Sequence, residues 1–128
     1  MAIDPSPDRF RELMVDSEPE FREVMACVFN VQRHEVRTYR TLLENPGSTV
    51  EELANTLERD RSNVNRSLST LREKGLAGRK RRLLDGGGHV YQYSATPIAE
   101  AQELMHETLD QWAAAVHDRI DEFDAAGE

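Results

Sequence analysis

The chain has 128 residues, 38% of them hydrophobic, with 24 Asp/Glu against 16 Lys/Arg and a formal net charge of −8. That length allows one domain with a modest core. No apolar run approaches a membrane span and Met1 to Pro7 is too polar for a signal peptide, so the expectation is a cytoplasmic protein without a membrane partner.

The choice of cation is uneven. Only Lys74 and Lys80 among the sixteen basic residues are lysine. Acid excess with so little lysine suits a protein from a very salty cytoplasm. Carboxylates hold water and cations there, whereas the long lysine stem would be salted out. The reading is a halophilic host, with salt cations as partners of the acidic surface; an acidic mesophilic protein is the alternative.

In chain order, residues 1–16 read as a tail with a short helix over Asp8 to Met14. Ser17, Pro19 and Glu20 read as the start of the next helix, with Ser17 as N-cap and Glu20 at the capping-box position. That helix is expected to reach about Asn30. Phe21, Val24, Met25, Val28 and Phe29 cover a face wide enough for more than one neighbour, and Phe21, Met25 and Val28 are assigned to a subunit interface. Cys27, the one cysteine, is read as a small buried hydrophobe. The competing reading is a redox-sensing thiol, which needs a lowered pKa and solvent access, and no cationic or second thiol partner is evident nearby.

Residues 31–96 read as a DNA-binding unit. Val31 to Glu44 forms a first helix with Val36, Tyr39, Leu42 and Leu43 on its inner side, ended by Asn45-Pro46-Gly47. Thr49 with Glu52 makes a capping box, and Val50, Leu53, Ala54 and Leu57 give the second helix one apolar face. Asp60 caps a third helix, which buries Val64, Leu68 and Leu71 and stops at Gly75. Its other face carries Ser62, Arg66 and Ser69, flanked by Arg61, Asn63, Asn65 and Thr70. Asn reads adenine edges, Arg reads guanine or phosphate, and Ser serves either. This is the pattern of a recognition helix in a helix-turn-helix.

Leu76 to Leu84 then reads as a strand holding Arg79, Lys80, Arg81 and Arg82. Asp85-Gly86-Gly87-Gly88 turns the chain, and His89 to Ser94 returns with aromatic alternation. A hairpin directly after a recognition helix is the wing of a winged helix, and Gly87, Gly88 and His89 form its tip. Charge points the same way. From Arg59 to Arg82 stand nine Arg/Lys and two acids, a local net of +7 that leaves −15 for the rest of the chain. Such concentration marks the face that meets double-stranded DNA.

Thr96-Pro97 is expected to begin a long helix over residues 97–124, with Pro97 at its first position. Ile98, Ala101, Met105, Leu109, Trp112, Val116, Ile120 and Phe123 recur in steps of three and four. The stripe spans about seven turns, more than a small winged helix can cover. Met105, Leu109, Trp112, Val116 and Ile120 are assigned to a homodimer interface, with intrachain packing over the N-terminal helix as the alternative. A symmetric dimer would hold two recognition helices about one DNA turn apart, ~34 Å, facing an inverted repeat.

Catalytic patterns are absent from the sequence. His34, His89, His106 and His117 do not pair at i+4 with one another or with Cys27, and one cysteine rules out the usual zinc spacings. The glycine run lacks the Lys-Ser/Thr of a phosphate loop. No enzyme, metal or cofactor is expected.

The segments Glu35-Val36-x-x-Tyr39-x-x-Leu42-Leu43, Thr49-Val50-Glu51-Glu52-Leu53-Ala54 and Asn63-Val64-x-Arg66-x-Leu68-x-x-Leu71-x-x-Lys74-Gly75-Leu76 together resemble the winged-helix regulators of the MarR, PadR and TrmB-like groups. The resemblance covers about Val31 to Pro97. It implies a mainly α fold with a small β-hairpin wing, flanked by N- and C-terminal dimerisation helices. It also implies that Ser62, Asn63, Asn65, Arg66 and Ser69 face the major groove, that Arg79 to Arg82 brace phosphates, and that Gly87 to His89 approach the minor groove. Many such regulators carry an Arg at the wing tip; three glycines and His89 here favour backbone contact instead. The full chain further resembles haloarchaeal regulators of this kind that respond to reactive oxygen species, which implies a link to oxidative stress. Two rivals stand beside a sequence-specific regulator. One is an architectural chromatin protein, and the other a winged helix for protein assembly, whose recognition face would be more apolar.

Overall fold

The computed structural model describes residues 20–124; the expected tail, the short helix at Asp8 to Met14 and the Ser17 cap lie outside them. Among the described residues, five helices and one hairpin follow in order: α1 (Phe21–Val28), α2 (Arg33–Glu44), α3 (Val50–Leu57), α4 (Arg61–Glu73), β1 (Ala77–Leu83), β2 (His89–Ala95) and α5 (Ile98–Glu122). Helices α2 to α4 with the hairpin form a winged helix, and α1 and α5 flank it.

The helix starts are chemical. At α3 the expected box is present: the Glu52 amide donates to Thr49 Oγ1 (3.2 Å) and the Thr49 amide to Glu52 Oε1 (2.9 Å). The Thr49 amide, and after it the Thr49 hydroxyl, interact with the Glu52 carboxyl and hold it below its ordinary pKa. A carboxylate depressed in the folded state stabilises above its unfolded pKa and stops doing so as pH falls through the folded value. Glu52→Gln should therefore be less stable than the parent at neutral pH, with the gap closing on acidification. Paired thermal melts across the acid range check this, and a gap that widened toward low pH would contradict it.

The start of α1 differs from expectation. Glu20 is itself the N-cap and Glu23 completes the box, so the helix opens three residues after the position that Ser17 suggested. It also ends two residues early, at Val28, because Asn30 turns left-handed (φ 56°). The Val31 amide then reaches back to the Met25 carbonyl (3.0 Å). Val31 is thereby a buried corner residue, and α2 starts at Arg33 behind Gln32, whose amide donates to Glu35 Oε1 (2.8 Å). The same turn folds Met25 into the chain's own core at 4% exposure. Met25, expected at a subunit interface, is consequently an intrachain packing residue.

At α5, Pro97 is the N-cap and not the first helical residue, with an extended ψ of 145°. Thr96 does not cap. Its hydroxyl donates to the Gly75 carbonyl (2.7 Å), its amide donates to the Leu76 carbonyl (2.9 Å), and its own carbonyl accepts from the Tyr39 hydroxyl (2.6 Å). Thr96 thus ties α2, the end of α4 and β2 at one corner. Gly75 has φ +77°, and a Cβ there would lie 2.9 Å from Leu104 Cδ2. Glycine both ends α4 and lets α5 approach.

The core joins Val31, Val36, Leu42, Leu53, Leu57, Val64, Leu68, Leu71, Leu76, Tyr93 and Ala101. Ala101 is the buried residue that α5 contributes; Leu104 and Met105 pack partly against the core. The remaining length of α5 extends past this body.

Candidate nucleic-acid interface

Asp60 starts α4 by accepting the Ser62 amide at Oδ2 (3.1 Å). The 3.6-residue period then divides the helix. Val64, Leu68 and Leu71 are fully buried, and Arg61, Ser62, Asn63, Asn65, Arg66 and Ser69 are exposed. Thr70 is less available than the sequence suggested: it is half-buried and its hydroxyl donates back to the Arg66 carbonyl (3.2 Å), a common mid-helix use of threonine. Ser67, not foreseen, is buried with Arg59 Nη1 at 3.5 Å from its oxygen. Arg61 faces Glu51 of α3 at 3.7 Å, both side chains well exposed. A surface pair of this kind is worth little, so the guanidinium can exchange Glu51 for another anion.

The hairpin register runs from Ala77↔Ala95 to Leu83↔His89. Opposed residues share a face, so Arg79 and Arg81 stand with Tyr93 and Tyr91, and Lys80 and Arg82 with Gln92 and Val90. The four cations therefore divide between two faces of the wing. Lys80, Arg81 and Arg82 are exposed. Arg79 lies over the Tyr91 ring, 3.8 Å from guanidinium carbon to centroid, and donates from Nη1 to the Tyr93 hydroxyl (3.2 Å). That hydrogen bond pushes its pKa further above the ordinary guanidinium value. His89 meets the Tyr91 ring edge-on at 5.3 Å. At the tip Gly87 and Gly88 take φ +95° and +81°, a conformation side chains rarely adopt.

Between the wing and the helix-turn-helix lies a groove of about 350 Å³, lined by Thr49, Glu51, Arg61, Asn65, Arg79 and Tyr91 among others. Tyr91 is not among the site residues expected from the sequence; aromatic alternation in the returning strand was the available signal. Chain entry also contributes here: Ser48 bridges Tyr93, with Gly47 N–H to Tyr93 O and Tyr93 N–H to Ser48 O both at 2.8 Å. The wing base is thereby joined to the segment leading into α3.

Away from this surface, the α5 stripe is open: Leu109 and Val116 are exposed, as are Trp112 (41%), Ile120 (62%) and Phe123 (67%). Phe21 on α1 is exposed too. Met105 is half-buried against the core, and Cys27 is half-buried with a free thiol. Among the described residues no His/Cys/Asp/Glu group could hold a metal ion, and no helix is long and apolar enough to cross a membrane.

The family model described as sugar-specific transcriptional regulator TrmB matches residues 25–99. The chain belongs to the TrmB family. The match runs from within α1 to the first residues of α5 and so takes in the whole winged helix. Two uncharacterized proteins of Methanocaldococcus jannaschii, MJ1503 and MJ1082, are each 32% identical to this TrmB-family chain over 104 residues. The aligned region covers 81% of the chain and 79% of MJ1503, and 80% of the chain and 86% of MJ1082. Among solved structures, a possible transcriptional regulator from Methanosarcina mazei Go1 superposes with a TM-score of 0.73 at 25% identity, over 86% of this chain and 93% of that one. A mutant of S. aureus MepR bound to an oligodeoxyribonucleotide reaches 0.51 at 14% identity, over 91% and 82%; that likeness is one of fold. The chain is a winged-helix transcription regulator.

Proposed function

We propose that this TrmB-family regulator binds DNA sequence-specifically, as a homodimer on an inverted-repeat operator, in a salt-rich cytoplasm. The observation that carries the reading is the division of α4. Its apolar residues hold the helix in the core while Ser62, Asn63, Asn65, Arg66 and Ser69 stand in solvent. They do so within the +7 segment of a chain whose net charge is −8. A helix that only completed a core would not need this set of donors and acceptors on its outer side. Lys80, Arg81 and Arg82 supply phosphate contacts from the wing, and Gly87, Gly88 and His89 let its tip approach the backbone. A response to oxidants is what the resemblance implies; the half-buried Cys27 thiol does not by itself supply it.

Salt sets a condition on this mechanism. At molar ionic strength the Debye length is about 3 Å and counterion release contributes little. Direct hydrogen bonds, and cations held between the protein's acids and the phosphates, then carry the affinity. The test is binding of a labelled inverted-repeat promoter fragment against random DNA in about 2 M KCl. Preference for the promoter is expected. Arg66→Ala should cost ~1–3 kcal/mol and relax the preference, and Arg82→Ala should weaken all sequences alike. Equal binding to random DNA would favour a chromatin role, and no binding to either would favour protein assembly.

A further inference from the structure

We propose that Arg79 is a positioning residue of the DNA-binding surface, holding the base of the wing in place through Tyr91 and Tyr93, and not a phosphate contact. The inference rests on the DNA-binding reading and changes the role that sequence alone assigns to this cation.

Three observations carry it. First, the flat guanidinium covers the Tyr91 ring at 3.8 Å, well inside the range of a cation–π contact. Second, its Nη1 donates to the Tyr93 hydroxyl. Tyr93 is 3% exposed, so one end of Arg79 is anchored to a core residue. Third, Tyr93 exchanges backbone hydrogen bonds with Gly47 and Ser48, immediately before α3. Arg79 therefore fastens β1 to two β2 tyrosines, one of which, Tyr93, is tied through its backbone to the segment that starts the helix-turn-helix. A two-stranded hairpin is marginal by itself; its angle to α4 depends on fastenings of this kind. Lys80 and Arg82 occupy the other face of the hairpin, where no tyrosine opposes them. Turning Arg79 outward to a phosphate would uncover Tyr91 and leave the Tyr93 hydroxyl without this donor.

Tyr93→Phe and Arg79→Gln in the full chain separate the two roles. Tyr93→Phe removes a hydroxyl and no charge. If Arg79 positions the wing, both variants should bind the operator fragment about threefold to tenfold more weakly, and the double variant should be no weaker than Arg79→Gln alone. The dependence of log affinity on log salt should keep the parent slope in each. A phosphate contact predicts instead that Arg79→Gln lowers that slope by about one and that Tyr93→Phe binds like the parent. Either result would overturn the proposal. Amide exchange of the DNA-free protein gives an independent readout: both variants should speed exchange across β1 and β2 while the α2 and α4 core amides keep their protection. Unchanged hairpin exchange would also overturn it. Should the parent protein bind no DNA, the functional reading fails, and exchange still decides whether Arg79 fastens the wing.

Discussion

Val116→Glu should abolish the proposed α5 homodimer and weaken binding to a two-half-site operator by about 10²–10⁴-fold, the range that coupling two binding events supplies. The chain's own core ends near Met105 on α5. Beyond it Leu109, Trp112, Val116, Ile120 and Phe123 continue the same stripe in solvent. Of the 25 residues of α5, those from 106 to 122 lie beyond that core, about 26 Å at 1.5 Å per residue. An apolar face of that length on a helix without core cover is a surface for association, and a second copy of the same stripe matches its chemistry. A carboxylate at Val116 would be placed among apolar side chains and lose its water. The fold of one chain should survive, because Val116 contributes nothing to that core. Sedimentation gives the mass and a binding titration the affinity. A variant that stayed dimeric would remove α5 as the interface, and with it the proposed spacing of the recognition helices.

Leu68→Ala should cost about 2–5 kcal/mol of folding stability, a large part of the roughly 5–15 kcal/mol that holds a typical domain. Leu68 is fully buried between Val64 and Leu71 on α4, where α4 meets α2 and α3. Removing its side chain leaves a hole that three helices border and cannot all close. Urea denaturation measures the loss through a lower midpoint; a cost below about 1 kcal/mol would mean that the site collapses around the smaller residue. Arg66, two positions away and exposed, should show the opposite profile, with DNA recognition changed and stability kept. The contrast between these neighbours tests whether α4 is divided as its period requires.

That division was legible without coordinates. Apolar residues at Val64, Leu68 and Leu71, a cap at Asp60 and a stop at Gly75 are local instructions, and the helix obeys them. The wing was legible for the same reason: alternation and a glycine turn describe a hairpin wherever it sits. Other readings failed where a side chain took a different partner from the one its pattern suggested. Ser17, Pro19 and Glu20 looked like a complete helix start, yet Glu20 and Glu23 make the described cap. Thr70 looked like a base-reading hydroxyl and is bonded to its own helix. Thr96 looked like a cap and is hydrogen-bonded across the fold to Gly75, Leu76 and Tyr39.

By itself, then, the sequence determined the helices, the hairpin, the positive face on an acidic chain and the long apolar stripe of α5. Each of these follows from spacing, capping chemistry or charge counted along the chain. Tertiary structure alone decided that Met25 packs inside its own chain, that Arg61 faces Glu51, and that Arg79 turns onto Tyr91 and Tyr93. A period of 3.6 or 2 says which side of an element a residue occupies. What stands opposite that side depends on a left-handed turn at Asn30 and on strand register, contacts between residues that chain order keeps apart.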